Sequence, residues 1–179
     1  WTEQFKQEVI ASRIETTRTL SEAIAKSESP PRSWVVVTGV GVVLGRNGGA
    51  LPTMLWPFRL CLGGTVGSGR QPFPWIHIDD LCRLLCHTVE QEEGVGGVLN
   101  AVSPSSVNDT NADFTRALGK ALRRPALFFT PAFAVQLLLG NDRAPMLLEG
   151  QRVVPERTLQ SGFTFLYPDL DSALAELLS

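Results

Sequence analysis

The residues best suited to chemistry stand together in one short segment, Pro74 to Leu81, which reads Pro-Trp-Ile-His-Ile-Asp-Asp-Leu. A histidine and two carboxylates can exchange protons, and they lie at the end of an apolar run that predicts a strand from Trp75 to Ile78. The sequence provides no nucleophile beside them and no third group to orient the histidine. We therefore favour a structural role, in which Asp79 or Asp80 caps a following helix and His77 forms a hydrogen bond across the sheet.

Two further patterns imitate cofactor or catalytic motifs. The run Gly39 to Gly45 has the glycine content of a dinucleotide-binding turn, but strand-like residues follow where a helix should begin. Its glycines are better explained as the ends of two strands brought together. The one tyrosine, Tyr167, has Asp171 rather than a lysine four residues later, which favours a packing role over acid catalysis.

The three cysteines suggest neither a disulfide framework nor a metal site. Their number is odd, which favours a reducing, intracellular compartment; the cytoplasm is the expected location, and a mitochondrial one is left open. Cys82, Cys86 and the adjacent His87 could share one helix face, but no fourth ligand has suitable spacing. We predict core thiols and no metal.

Composition excludes several classes of partner. The chain has 179 residues, enough for one domain with a sizeable core, and its 44% hydrophobic content is ordinary. A net charge of -2 with 19% charged residues argues against nucleic acid and anionic membranes. No run of about 18 apolar residues occurs. The chain starts at Trp1 without Met or a signal-like stretch, which suggests a fragment or an alternative product.

The first segment predicts an amphipathic helix from Glu3 to Lys26, capped by Thr2 and stopped by two prolines. Its apolar stripe contains Phe5, Val9, Thr16, Leu20 and Ile24. Arg13 falls on this stripe, and a buried guanidinium requires a carboxylate or a phosphate. The residues alone favour a packed stem whose charged head reaches solvent or an acidic neighbour.

Strands and helices alternate along the rest of the chain, which indicates an α/β class. We expect a long loop from Gly45 to Pro74, interrupted by an apolar segment around Met54 to Leu62. Further helices are predicted after Asp80 and over 113–123, 132–139, 143–150, 155–160 and 170–178, with strands over 98–102, 126–130 and 163–166.

The segment from Trp34 to Arg46 joins two strands with almost nothing between them. Val35 to Thr38 and Val42 to Leu44 read as buried parallel strands, yet parallel neighbours need a crossover of about a dozen residues or more. Either the segment runs as one long strand, or one half leaves the sheet. Both arrangements expose sheet edges that are normally covered.

Several motifs in order resemble the epimerase-like branch of the short-chain dehydrogenase/reductases. They are Trp-x-x-x-Phe-x-x-Glu-Val-Ile-x-Ser-Arg from Trp1, Trp-Val-Val-Val-Thr-Gly from Trp34, Gly-Val-Val-Leu-Gly-Arg from Gly41 and Pro-Trp-Ile-His-Ile-Asp-Asp-Leu. The sequences Leu-Leu-Glu-Gly-Gln-Arg-Val-Val-Pro from Leu147 and Gly-Phe-x-Phe-x-Tyr-Pro-x-Leu from Gly162 resemble that branch's C-terminal domain of unknown function.

The resemblance implies a Rossmann-type fold that binds NADP and a reaction not yet assigned. It places Glu8, Arg13 and Val43 at the cofactor, and it matches Thr38 to a strand-end Ser/Thr that hydrogen-bonds the reacting oxygen. It implies a partial Rossmann-type domain over 1–103 and a small α+β lobe over 104–179. The family's first strands, with their glycine-rich turn, have no counterpart here. Nor does a loop and helix of roughly forty to fifty residues that carries the tyrosine region.

Three hypotheses follow. The first is an NADP-dependent oxidoreductase of this family with little or no catalysis, because both halves of the cofactor site are affected. The second is a noncatalytic module in which the segment from Gly45 to Pro74 and the C-terminal lobe bind a protein partner. In the third, a second chain supplies the missing strands. The substrate, a small molecule, is not identified by the sequence.

Overall fold

The computed structural model describes residues 3–29, 39–90, 97–131, 133 and 148–179. The chain divides into two compact units, Trp1–Val35 and Val36–Ser179. In the first unit, helix α1 spans Glu3–Ala25, as the periodicity predicts. On its surface Arg18 donates two hydrogen bonds to the carboxylate of Glu15, and Leu20 of the predicted apolar stripe is exposed.

The second unit alternates short parallel strands with helices, which confirms the α/β class. Its elements are β1 (Gly39–Val40), β2 (Val42–Leu44), α2 (Leu51–Arg59), β3 (Gly64–Val66), β4 (Trp75–His77), α3 (Ile78–Glu90), β5 (Asn100–Ala101), a 3-10 turn (Ser105–Val107), α4 (Asn111–Leu122), β6 (Phe128–Thr130), α5 (Glu156–Gln160) and α6 (Leu170–Leu177). In the described part of the chain the strands form three parallel pairs, β1 with β5, β2 with β4 and β3 with β6.

The described part of the fused segment, 39–44, runs as one extended stretch that changes partners at Gly41. The Gly41 amide donates to the Ala101 carbonyl, and the next amide, that of Val42, donates to the Pro74 carbonyl. Strand β4 begins at Trp75, directly after Pro74. A Cβ on Gly41 would lie 2.8 Å from main-chain atoms of Pro74 and Trp75, so only glycine lets β4 enter beside the strand. The earlier half, Val35 to Thr38, lies outside the described residues.

Two of the predicted elements are wrong. The segment from Gly45 to Pro74 is not a long loop, because it contains α2, which buries Leu51, Leu55 and Phe58, and β3. The predicted strand from Phe163 to Leu166 buries alternate side chains, as a strand does, but forms no hydrogen-bond ladder with a described strand. Alternating burial there comes from packing of an extended segment rather than from sheet pairing. The predicted helices over 132–139 and 143–150 fall largely outside the described residues.

The main core joins the N-terminal strands to the C-terminal helices. Buried side chains from β2, α2 and β4 pack with those of α4 and α6 in one cluster: Leu44, Leu51, Leu55, Phe58, Phe73, Trp75, Phe114, Leu118, Leu170, Ala173, Leu174 and Leu177. A second cluster contains Ile76, Leu84, Ala101, Phe163 and Phe165. The first cluster crosses position 103, and the predicted domain boundary there stays a prediction.

Helices α4 and α6 both begin at side-chain caps. The Thr110 hydroxyl accepts a hydrogen bond from the Asp113 amide, and the Asp113 carboxylate accepts one from the Thr110 amide. This reciprocal pair forms a capping box. Asp169 accepts from the Ser172 amide at the start of α6. Both helices are thus positioned by local chemistry before they pack.

Candidate anchor at the end of strand β4

The polar residues predicted as the best chemical candidates end a buried strand and open a helix. Trp75, His77 and Asp80 are each at most 1% exposed. The Trp75 indole Nε1 donates to Asp109 Oδ2 over 2.8 Å, and the Ser105 hydroxyl donates to the same oxygen over 2.7 Å. Strand β4 is thereby tied to the turn that precedes α4.

His77 forms hydrogen bonds through both of its ring nitrogens. The Asp79 amide donates to His77 Nδ1 over 3.1 Å, and His77 Nε2 lies 3.0 Å from Glu176 Oε2 on α6. Because Nδ1 accepts, these contacts assign the proton to Nε2, which donates to the carboxylate. The Tyr167 ring covers the imidazole with a centroid distance of 3.9 Å. The predicted hydrogen bond across the sheet is therefore wrong: the partner is a helix 99 residues away in sequence.

The predicted capping role of Asp79 or Asp80 is also wrong, because the helix begins earlier and already contains both residues. Helix α3 starts at Ile78. The His77 imidazole accepts a hydrogen bond from the amide of Asp79, the second residue of the helix, as an N-cap side chain does. Asp80 instead faces the C-terminal segment. Its two carboxylate oxygens accept the main-chain amides of Leu166 and Tyr167 at 2.8 and 2.9 Å.

Arg83 completes the surroundings of the Asp80 carboxylate. Its guanidinium lies 3.1 Å from Asp80 Oδ1, donates to the Thr164 carbonyl over 3.0 Å and sits above the Phe163 ring. A fully buried carboxylate is costly without a counter-charge, and here one cation and two amides compensate it. The Asp-Asp pair of the motif is thus divided between a buried anchor and the largely exposed Asp79.

Glu176 connects the histidine to the end of strand β2. Arg46, two residues beyond that strand, donates to the Glu176 carbonyl over 2.6 Å and to the Ser179 hydroxyl over 3.1 Å. Partial burial, followed by the negative charges of Glu176, Asp79 and Asp80, raises the pKa of Tyr167 above its usual range. The phenol therefore resists deprotonation here, unlike an activated catalytic tyrosine.

We name Trp75, His77 and Asp80 the β4 anchor, since each fastens strand β4 or helix α3 to a different later segment. Among the described residues, no buried side-chain nitrogen or oxygen lacks a hydrogen-bond partner. A proton-transfer site would keep a group directed at a substrate, whereas the polar atoms of the anchor are engaged within the chain. The arrangement supports the structural interpretation, with partners that local sequence could not identify.

The residues expected at a cofactor are only partly described. Val43 lies on β2, half-buried against the second core cluster, and its cofactor contact stays a prediction. Glu8 and Arg13 lie on α1, but their side chains are outside the described set, as is Thr38. The roles assigned to these three residues also stay predictions.

The glycines of the 39–45 run do not cradle a phosphate. Gly39 and Gly41 lie in an extended stretch paired with β5 and β4, so no helix N-terminus follows them. A Cβ at Gly39 would overlap the Asn100 side chain, which would have to move. The described residues therefore do not fit the pyrophosphate of a dinucleotide at this run.

The cysteine prediction needs a correction. Cys82 and Cys86 are exposed on α3 and are not core thiols, because α3 directs Asp80 and Leu84 inward instead. Over residues 39–90, 97–131 and 148–179, no cluster of three or more His, Cys, Asp or Glu could hold a metal ion. Within the same described parts, no helix has the length and apolar character needed to cross a membrane.

Comparison with known proteins gives consistent relatives. Residues 130–177 match the family model described as a domain of unknown function, DUF1731. Epimerase family protein SDR39U1 from Bos taurus is 44% identical, and the alignment covers 100% of this chain and 76% of the relative. The Homo sapiens protein is 43% identical with the same coverage. YfhF from Bacillus subtilis, also an epimerase family protein, is 28% identical.

The solved structures agree. The crystal structure of human SDR39U1 (isoform 2) with NADPH has a TM-score of 0.87 and 42% identity, covering 99% of this chain and 76% of that one. UDP-N-acetylglucosamine 4-epimerase from Bacillus cereus, at 12% identity and a TM-score of 0.55, shares the fold over 78% of this chain and 43% of its own.

The alignment with the bovine relative spans 227 positions although this chain has 179 residues, a difference of 48. That length agrees with the loop and helix expected to be missing from the chain. The alignment over the whole of this chain, the identity above 40% and the TM-score of 0.87 lead to one conclusion. This chain belongs to the epimerase family that includes SDR39U1, with a Rossmann-like α/β fold and a DUF1731 C-terminal region.

Proposed function

We propose that this chain is an NADP-linked epimerase family member with little or no hydride transfer of its own. The observation that carries the proposal is the continuous stretch 39–44, which passes from β5 to β4 without a crossover. A crossover is the element that places a helix, and the residues on it, beside the carboxyl ends of parallel strands. Its removal takes away one wall of the nicotinamide pocket.

The cofactor assignment comes from the family. The human relative was crystallised with NADPH. Among the described residues, Val43 is the one that the family resemblance places at the cofactor. Hydride transfer requires the nicotinamide at near-attack distance from its substrate. A strand end without its flanking helix can contact the ring but cannot hold it in that geometry.

Tyr167 does not replace the lost tyrosine region. It is the one tyrosine of the sequence, and partial burial, followed by the nearby carboxylates, raises its pKa, so the phenol stays protonated and is a weaker acid than an activated catalytic tyrosine. An absorbance titration at the tyrosinate band should therefore give a midpoint above the ordinary value of 10.0. A midpoint at or below that value would restore Tyr167 as a candidate acid-base residue.

Calorimetric titration with NADPH tests the proposal. We expect undetectable binding, or a dissociation constant weaker than about 1 mM, which corresponds to roughly 4 kcal/mol. The matched control inserts a crossover loop and helix of 48 residues, the length by which the bovine alignment exceeds this chain, between Val40 and Gly41. Binding should strengthen in that protein. A micromolar constant with one site in the unmodified chain would contradict the proposal.

The restored protein also tests Arg13. Arg13→Leu should weaken NADPH binding about tenfold, because a charge-assisted contact typically contributes about 1.5 to 3 kcal/mol. Arg18→Leu is the control on the same helix, since Arg18 is exposed and paired with Glu15. Equal affinities in the two variants would show that the resemblance misplaces Arg13.

A second candidate function is a noncatalytic protein-interaction module, supported by the apolar surface on and after α2. Trp56, Leu60 and Leu62 are 64%, 63% and 54% exposed within the segment predicted to bind a partner. Large exposed apolar side chains close in sequence often mark an interaction surface. The same titration separates the candidates: a module need not respond to NADPH even after the 48 residues are inserted.

The three free thiols support a reducing intracellular compartment for either function.

A further inference from the structure

Two exposed thiols lie on the outward face of helix α3. Cys82 and Cys86 are four residues apart within Ile78–Glu90, and both are exposed. Side chains four residues apart on a helix are neighbours on one face, separated by one turn. The buried residues of the helix, Asp80 and Leu84, point to its opposite side. The helix therefore presents the two sulfurs to solvent as a pair.

The same geometry keeps the two thiols close without favouring a disulfide between them. Cβ atoms four residues apart on a helix are separated by about 5 to 6 Å, whereas a disulfide needs about 3.5 to 4.5 Å. Oxidation would have to distort this turn of α3. An atom placed between the sulfurs adds a second bond to the bridge, and so it can span the larger gap while the helix stays intact.

The donor set limits which atom can form the bridge. Thiol sulfur is a soft donor that prefers soft, polarisable partners to magnesium or calcium. A structural zinc site takes four protein ligands, and over 39–90, 97–131 and 148–179 no three His, Cys, Asp or Glu side chains gather in that way. Two sulfurs are sufficient for trivalent arsenic that carries an organic group as its third substituent.

An apolar side chain adjoins the pair. Val89 is 54% exposed and follows Cys82 by seven residues and Cys86 by three. These spacings place it on the same face of α3. An organic group on the bridging arsenic would therefore meet an apolar side chain rather than a charged one.

We propose that Cys82 and Cys86 form a dithiol site for trivalent organoarsenicals, with arsenic bridging the two sulfurs and its organic group on Val89. Two arsenic–sulfur bonds form, the bonding of arsenic to oxygen is broken, and the oxygen leaves as water with both thiol protons. Arsenic stays trivalent and both sulfurs keep their oxidation state, so no oxidant or reductant takes part. The site lies on one helix and requires no cofactor, so it is independent of the proposed function.

Phenylarsine oxide tests the proposal, with mass spectrometry of the reduced, folded chain as the readout. We expect one phenylarsenic group per chain. Peptide mapping should show Cys82 and Cys86 protected from N-ethylmaleimide, while Cys61 is alkylated after unfolding. Dimercaprol, a competing dithiol, should remove the group, whereas a monothiol at the same thiol concentration should not. Absence of the group, or protection of a pair that includes Cys61, would overturn the proposal.

Single substitutions separate a dithiol site from general thiol reactivity. Cys82→Ser and Cys86→Ser should each weaken phenylarsine oxide binding about a hundredfold or more, because the second bond to arsenic forms within one molecule. Cys61→Ser is the matched control, since Cys61 follows α2 and its sulfur accepts a hydrogen bond from Arg124. That variant should bind as the unmodified chain does. Retained affinity in either α3 variant would refute the assignment.

A spacing control keeps two exposed thiols on α3. Cys86→Ser combined with Glu90→Cys moves the second thiol to an exposed position on the same face, about 12 Å from Cys82 along the helix axis. One arsenic atom cannot reach both sulfurs at that separation, so the affinity should fall as far as in Cys82→Ser. An affinity equal to that of the unmodified chain would contradict a site that depends on thiols one turn apart.

Discussion

The β4 anchor and the exposed pair of Lys120 on α4 with Asp171 on α6 use similar charged groups under opposite conditions. Asp80 is 0% exposed and its carboxylate is enclosed by two amides and Arg83, whereas the side chains of Lys120 and Asp171 are 71% and 64% exposed. A buried charge whose partners lie within the chain holds segments together, because separating them leaves it uncompensated. An exposed ion pair contributes little to stability, because water solvates both of its charges. The types of the residues alone therefore do not distinguish a buried anchor from a surface pair.

The largest expected effect comes from Asp80→Ala. Loss of the carboxylate leaves the Leu166 and Tyr167 amides and Arg83 without their acceptor, and the free energy of unfolding should fall by about 3 to 5 kcal/mol. Urea unfolding followed by fluorescence measures it. Asp79→Ala is the matched neighbour, since Asp79 is 57% exposed, and should change stability by at most about 0.5 kcal/mol. Similar losses in both variants would remove the distinction between anchored and exposed carboxylates.

Gly41→Ala tests the point where the strand changes partners. The new Cβ would lie 2.8 Å from the Pro74 main chain, so β4 has to move, at a cost of about 1 to 3 kcal/mol. Gly48→Ala is the control, because nothing lies within 4 Å of the Cβ it would add. Thermal unfolding of the two variants should separate them clearly. An undisturbed Gly41→Ala protein would mean that β4 does not enter at this position.

A double-mutant cycle measures the contact between His77 and Glu176. His77→Ala, Glu176→Ala and the double variant should give a coupling free energy of about 0.5 to 1.5 kcal/mol, because the buried imidazole N–H donates to a carboxylate. Lys120 and Asp171 form an exposed pair that serves as the reference, expected at about half a kcal/mol or less. Equal couplings would show that burial of the histidine adds nothing.

The smallest expected effect concerns Asp113 at the start of α4. The hydroxyl and then the amide of Thr110, assisted by Arg116, hold the pKa of this carboxyl below its usual 3.8. Its contribution is therefore present above the unfolded-state pKa and is lost as the pH falls through the folded-state pKa. Asp113→Asn should cost about 0.5 to 1 kcal/mol at pH 7. The difference should shrink as the pH falls below 3.8, and a constant difference across the pH range would exclude the charge as its source.

Local patterns were sufficient for much of the fold. The periodicity from Glu3 predicts α1, the apolar runs predict β2 and β4, and the helix predicted over 170–178 corresponds to α6. These elements depend on neighbours within one or two turns, so their signals are local. The sequence also indicated its family, because several motifs occur in a fixed order. Nothing local marks β3, whose three residues are extended because β6 pairs with them from 64 positions away.

The sequence by itself determined that His77, Asp79 and Asp80 end a strand and open a helix, and that no nucleophile accompanies them. Tertiary structure alone decided what these residues do. It brought Glu176 to His77 and the amides of Leu166 and Tyr167 to Asp80. It also placed Lys120 beside Asp171 at the surface. The physical reason is that burial and hydrogen-bond partners are supplied by segments distant in the chain, and these two quantities determine whether a charge stabilises the fold or stays exposed with little effect on stability.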